Sequence, residues 1–226
     1  MAAAGRQMTE GPGGSGGSGD DVPPPFRRAV SALKAAHTRA EVELSELPAP
    51  KRLAPYAFAL AATVTETGGD GEGDGMELAD GRFVLLHDPA GQEPWQGTFR
   101  VVTLSRTDLE PEMAGDPLLP EVTWSWLTGA LETLSAVYTE PSGTVTRSGS
   151  SFFGGLVERP PQTELEIRAS WTPRAADPAL PDAEPDLAAH LTAWSELLCQ
   201  CAGLPPENGD GVSVVSLPQR RGPQPL

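Results

Sequence analysis

The chain of 226 residues has no apolar run approaching the ~18 residues a membrane-crossing helix requires, so no spanning segment is expected. Its N-terminus, "MAAAGRQMTEGPGGSGGSGDD", lacks the basic-then-apolar order of a secretory signal, and a cytoplasmic location is the expectation. Cysteine is scarce. The two present, Cys199 and Cys201, are spaced C-x-C and point about 200° apart on a helix, which predicts two reduced thiols rather than a disulfide. No GxxxxGK[ST] loop, GxGxxG turn or GxSxG elbow occurs, so the commonest phosphate cradles and the nucleophile elbow are excluded.

Basic residues are also few. Sixteen Lys and Arg stand against 31 Asp and Glu, a net charge of −15. The acids concentrate in residues 1–22, 66–80, 108–121 and 177–186, leaving the remainder of the chain near neutral. No Lys/Arg cluster offers counterion release, and nucleic acid is not an expected partner. Histidine occurs three times. His37 and His190 fall on apolar helix faces, where a packed imidazole is the usual outcome. His190 and Cys201 share a side but lie about 16 Å apart along the helix, too far for one metal. "DGEGDGMELAD" (70–80) offers Asp70, Glu72 and Asp74 in the manner of a calcium loop, but Gly81 occupies the twelfth position and a solvated loop is the better reading. No metal, cofactor or catalytic set is expected.

What is abundant is Gly and Pro, 25 and 24 residues, much of it in "GPGGSGGSG" and other linker-like stretches. The expected organisation is a Gly/Ser linker over 1–21, a single domain over 22–206 and a C-terminal tail over 207–226. Within the domain, Phe26, Ala29, Val30 and Leu33 mark one face of a helix. Period-two alternation then predicts strands over 40–47, 52–67, 81–89 and 96–109, with Tyr56, Phe58, Leu60 and Val64 on a common face. A helix starting near Pro120 places Trp126 in its apolar arc and Trp124 at the opposite edge, about 160° away, too divergent for a two-indole clamp.

"AVYTEPSGTVTRSGSSFFGGL" (136–156) is Thr/Val/Ser-rich, with a Pro-Ser-Gly turn. "QTELEIRASWTP" alternates Leu165, Ile167, Ala169 and Trp171 against Glu164, Glu166, Arg168 and Ser170, a half-buried antiparallel strand. A last helix runs from Asp186, an N-cap, to Gly203, a stop. Apolar helix faces and polar outer strand faces predict an α+β two-layer sandwich: an antiparallel sheet of about 5–6 strands with three main helices on one side and the indole-bearing middle helix innermost.

Six residues stand out as binding candidates. His87 ends a strand beside Asp88, a pair able to act as a general base or simply to form a turn. Trp95 lies in the loop "HDPAGQEPWQG", and Phe152 and Phe153 follow the second loop. Arg147, among hydroxyls, can meet a carboxylate from a partner or bridge across the outer sheet face. Trp124 sits toward the polar side of its helix. These support a non-enzymatic domain that binds a protein or peptide, alone or as a homodimer, through its sheet face or aromatic loops. The alternative is a small-molecule pocket or enzyme site lined by His87, Trp95 and Arg147.

"PPPFRRAV", "RLAPYAFAL", "LLHDPAGQEPWQGTFR", "LEPEMAGDPLLPEVTWSWLTGALE", "EPSGTVTRSGSSFFGGL", "EIRASWTP" and "LLCQCAGLPP" together resemble the actinobacterial family called domain of unknown function 3000, over residues 22–206. The resemblance implies one domain in a bacterial cytoplasm and no assigned activity. The element order is also similar to that of type III secretion chaperone-like folds, which implies dimers that hold partner segments. Fold alone does not carry function.

Overall fold

Alternation with one oily side forces each predicted strand to bury that side, and the helices supply the cover. In the computed structural model, which describes residues 22–66, 75–177, 179 and 183–205, six strands form one sheet in the order β1-β2-β3-β4-β6-β5, every neighbour antiparallel. The strands are β1 (Val42–Leu47), β2 (Tyr56–Thr65), β3 (Glu77–Gln92), β4 (Gly97–Leu109), β5 (Tyr138–Ser150) and β6 (Gln162–Pro173). The helices are α1 (Pro24–Ala35), the single-turn α2 (Pro111–Ala114), α3 (Leu119–Thr133) and α4 (Leu187–Cys201). This is the α+β arrangement expected, with β6 inserted between β4 and β5. The acidic stretch around Asp70–Asp74, the Gly/Ser linker and the tail beyond Pro205 lie outside the described residues.

Register defines the inner face. Leu60 faces Phe83, Leu85 faces Val101, and Val101 faces Trp171, all buried. α4 lies against β2, β3 and β4 and also touches α1 and α3, making it the central helix. Nine of its fifteen residues are buried, Trp194, Leu191 and Leu197 completely. This corrects the expectation that α3 is innermost. On α3 the buried stripe is Leu119, Thr123, Leu127, Ala130 and Leu131; Trp124 and Trp126 flank it half-buried, and Val122 is exposed. Thr123 enters the stripe because its hydroxyl donates to Leu119 O at 2.6 Å, removing the cost of burying it.

α4 begins where Asp186 accepts from Ala189 N at 3.1 Å and ends before Gly203 at φ 77°, as its cap residues predict. α1 stops at Ala35, so His37 lies beyond the helix and is exposed, not packed. The expected Pro-Ser-Gly turn is instead an irregularity inside one long β5: the pairing shifts between Thr139 and Ser142, with Glu140 at φ 53°.

Close helix-to-sheet contact depends on Gly81. A Cβ there would lie 2.6 Å from Trp194 Cζ2 and 3.1 Å from Leu198 Cδ2. Gly81→Ala is therefore expected to lower the unfolding free energy by about 1–3 kcal/mol through overpacking, measurable by urea titration. The same Cβ would lie 2.6 Å from Leu104 O on β4, so an unchanged midpoint would show that both α4 and the β4 backbone give way at no cost.

The outer face departs from expectation. α1, α3 and α4 all lie on the inner side, and no described helix covers the other. Outward positions were expected to be polar, and at Asp80, Arg106, Asp108, Glu164 and Glu166 they are. At the centre they are Ala57 and Ala59 on β2, Val84 and Leu86 on β3, and Val102 and Leu104 on β4. The cause is visible in "RFVLL" and "RVVTL": where apolar residues run consecutively, both faces of a strand are apolar.

Candidate functional site

On the outer face the register lays residues out in rows. One row runs Ala61, Arg82, Leu104, Arg168, Thr144, and the next runs Ala59, Val84, Val102, Ser170, Ser142. A depression of about 690 Å³ follows these rows, floored by Val84, Val102 and Leu104 and bordered by Arg82, Arg106 and Arg168. No carboxylate lines it. In a chain with net charge −15, that local excess of cations is notable.

The arginines are held differently. Arg106 donates to Glu166 Oε2 from Nε (3.0 Å) and Nη2 (2.9 Å), while Arg168 Nε donates to Glu166 Oε1 at 2.7 Å. One carboxylate thus divides between two guanidinium groups, and the Arg168 bond foremost holds the Glu166 carboxyl below its ordinary pKa. Arg82 is exposed and makes no hydrogen bond or ion pair among the described residues.

Behind the Ser142–Ser170 side lies Arg100, 8 % exposed. Its guanidinium donates to Glu140 O (2.9 Å), Thr172 Oγ1 (3.1 Å), Ser142 Oγ (3.1 Å) and Ser170 Oγ (2.7 Å). These are neutral oxygens, and the Glu140 charge acts on the group as well; burial, the larger effect, holds its pKa below the ordinary value, yet an arginine stays protonated. The two serine hydroxyls, 3.1 Å apart, accept from Arg100 and line the depression.

A second depression of about 740 Å³ lies between the start of α1 and the end of β6. Its charges are already engaged: Arg28 pairs with Glu184, and Arg174 donates to Thr139 Oγ1 and Gln96 O. Among the described residues no three His, Cys, Asp or Glu side chains converge as metal ligands. Among the described residues no helix is long and apolar enough to cross a membrane.

The sequence-selected residues are scattered. His87 is within β3, faces inward and is 3 % exposed, stacked on Phe99 (4.3 Å between centroids) and Phe26 (5.8 Å). Its Nδ1–H donates to Thr98 O at 3.0 Å, and burial lowers its pKa. Asp88 instead accepts from Ala90 N and Gln92 Nε2, forming the turn, so no acid–base pair exists. Arg147 faces inward, where Nη1 donates to Ala114 O and Asp116 O, both 2.9 Å, and so clamps the α2–α3 link rather than meeting a carboxylate. Trp124 packs on Gly143, where a Cβ would come within 2.7 Å of the ring.

Trp95 sits half-exposed at the β3–β4 turn, its carbonyl accepting from Thr172 Oγ1 at 2.6 Å. Phe152 is half-buried with Arg159 over its ring, and Phe153 is 80 % exposed. The β3–β4 and β5–β6 turns lie at opposite ends of β4, about 40 Å apart at ~3.3 Å per residue. His87, Trp95 and Arg147 are not brought into one pocket. The residues that do converge, Arg82, Arg106 and Arg168 over Val84, Val102 and Leu104, were not singled out from sequence. In sequence Arg82 directly precedes the apolar run 83–86 and Arg106 follows Leu104 by two residues, whereas Arg168 lies in a strictly alternating strand and carries no such signal.

The profile of a family described as "Protein of unknown function (DUF3000)" matches residues 22–213, most of the chain. The chain belongs to the DUF3000 family. No curated protein matches the sequence and no solved structure matches the fold. Membership in DUF3000 brings no assigned chemistry, so the geometry of the outer face carries the functional reading.

Proposed function

We propose that this member of the family is a non-enzymatic docking protein that takes a protein partner on the outer face of its sheet, within an actinobacterial cytoplasm. The observation that supports the reading is a half-exposed apolar strip, Val84–Val102–Leu104, on the sheet face away from α1, α3 and α4. Solvated antiparallel faces are ordinarily polar, and an uncovered apolar strip rimmed by charge is the composition of an interaction surface. The exposed Phe153 and half-exposed Trp95 are auxiliary contacts at the two ends of the sheet in the same proposal. His87, Trp124 and Arg147 serve the fold in it.

The test is photocrosslinking in the native host from benzoylphenylalanine placed at Val84, with Ser31 on the exposed side of α1 as control. A discrete adduct from position 84, absent from position 31 and lost when Val102→Glu is added, is the expected result. Equal yields from both positions would remove the docking reading.

A further inference from the structure

We infer that the partner segment accepted by this face is an amphipathic α-helix with Asp or Glu on both flanks of its apolar stripe. The inference rests on the docking reading above and specifies its chemistry. Arg82 and Arg168 stand on either side of Leu104 in one cross-strand row, two strand spacings or about 10 Å apart. A helix with its side chains is about 10–12 Å across, so one laid along β4 rests its apolar stripe on Val102 and Leu104 and brings its flanks over the two guanidinium groups. Arg82 has no partner to give up, and Arg168 shares its one carboxylate with Arg106. Both retain donors for an incoming carboxylate, where a planar guanidinium binds in bidentate fashion.

Other occupants fit less well. A second copy meeting this face by a two-fold axis would set the same cation-lined depression against itself, arginine toward arginine with no lining carboxylate. A nucleic-acid backbone fails for the opposite reason. One row beyond Arg82 the outward residues are Asp80, Arg106 and Glu166, the last two joined in an ion pair, and Asp108 and Glu164 face each other in the row after that. An extended polyanion would run from the arginines onto these carboxylates, whereas a helix can carry its acids only where they meet Arg82 and Arg168. A basic helix would meet the arginines unfavourably and also leave the apolar strip flanked by like charge.

The experiment is fluorescence anisotropy of the full chain with two labelled peptides of about 16 residues, long enough for four helical turns. Both carry the same Leu/Ala stripe; one has Glu on its flanks and the other Lys. The Glu peptide is expected to bind at least about tenfold more tightly than the Lys peptide, and to weaken as NaCl is raised from about 50 to about 500 mM. Arg82→Glu should cost about tenfold or more in affinity for the Glu peptide. This exposed, unpaired side chain can be exchanged without disturbing the fold, which an unchanged Tm confirms.

Preference for the Lys peptide, equal binding of both, no binding of the Glu peptide at about 100 µM, or indifference to Arg82→Glu each overturns the inference. The docking reading is judged separately by the Val84 adduct. An adduct mapped to a partner segment without flanking acids keeps that reading and discards the acidic helix.

Discussion

Trp194→Ala should lower the unfolding free energy by about 3–5 kcal/mol, the largest effect expected from any single side-chain truncation in this protein. The indole is completely buried, its Nε1–H donates to Ser105 Oγ at 3.0 Å, and its ring lies 5.7 Å from Phe83 and directly over Gly81. Removing it opens a cavity at the centre of the sheet–helix interface and deprives Ser105 of a partner. The informative comparison is Trp126→Ala. Trp126 is only half-buried at the edge of α3, so its loss should cost about half as much or less. Urea unfolding at fixed pH measures both. Equal losses would contradict the finding that α4 is the central helix.

The second large effect is acid destabilisation through His190. The side chain is completely buried, and Trp171 Nε1–H donates to its Nδ1 at 3.1 Å. Nδ1 must therefore stay unprotonated, and the proton of the neutral ring sits on Nε2. Burial drives the pKa down to about 4, opposed by the charge of Asp186 and the Val137 carbonyl. Protonation would charge a desolvated ring and leave the Trp171 N–H facing another donor.

A folded-state value below the unfolded value of about 6.5 means that the unfolded chain binds the proton first as pH falls. Stability from this group is complete above about pH 6.5 and is lost between there and about pH 4. The loss is about 2 kcal/mol from pH 7 to pH 5, and about 3 kcal/mol by pH 4. His87, also lowered by burial, acts in the same direction. The depressed carboxyls of Glu41, Glu166 and Glu184 titrate lower, so the interval from pH 7 to pH 5 reports the histidines. His190→Gln keeps an acceptor for Trp171 and removes the titration. It should flatten most of that slope in urea titrations at pH 7, 6 and 5. An unchanged slope would transfer the effect to His87.

How much of this was legible in advance differs from element to element. β6 and the inward faces of β2 could be read from sequence because alternation is a local pattern: side chains two apart point the same way whatever surrounds them. The ends of α4 could be read because Asp186 and Gly203 act on backbone groups within a turn of themselves. The surroundings of His87 and Arg147 could not be read from sequence, for a common reason. Each sits near a polar or flexible neighbour in sequence, yet its surroundings are set by distant segments: Phe26 and Phe99 close over His87, and the α2–α3 link folds back onto Arg147.

By itself, then, the sequence determined the element types, the one-sided greasiness of the helices and the acidity of the linkers, because these follow from interactions within a few residues. Only the tertiary structure decided that α4 is central, that β6 enters between β4 and β5, and that Arg82 and Arg168 flank Leu104. Strand pairing unites residues more than sixty apart in the chain, and no local pattern encodes which strand lies beside which. The apolar strip and its arginines exist as one surface only once that pairing is made.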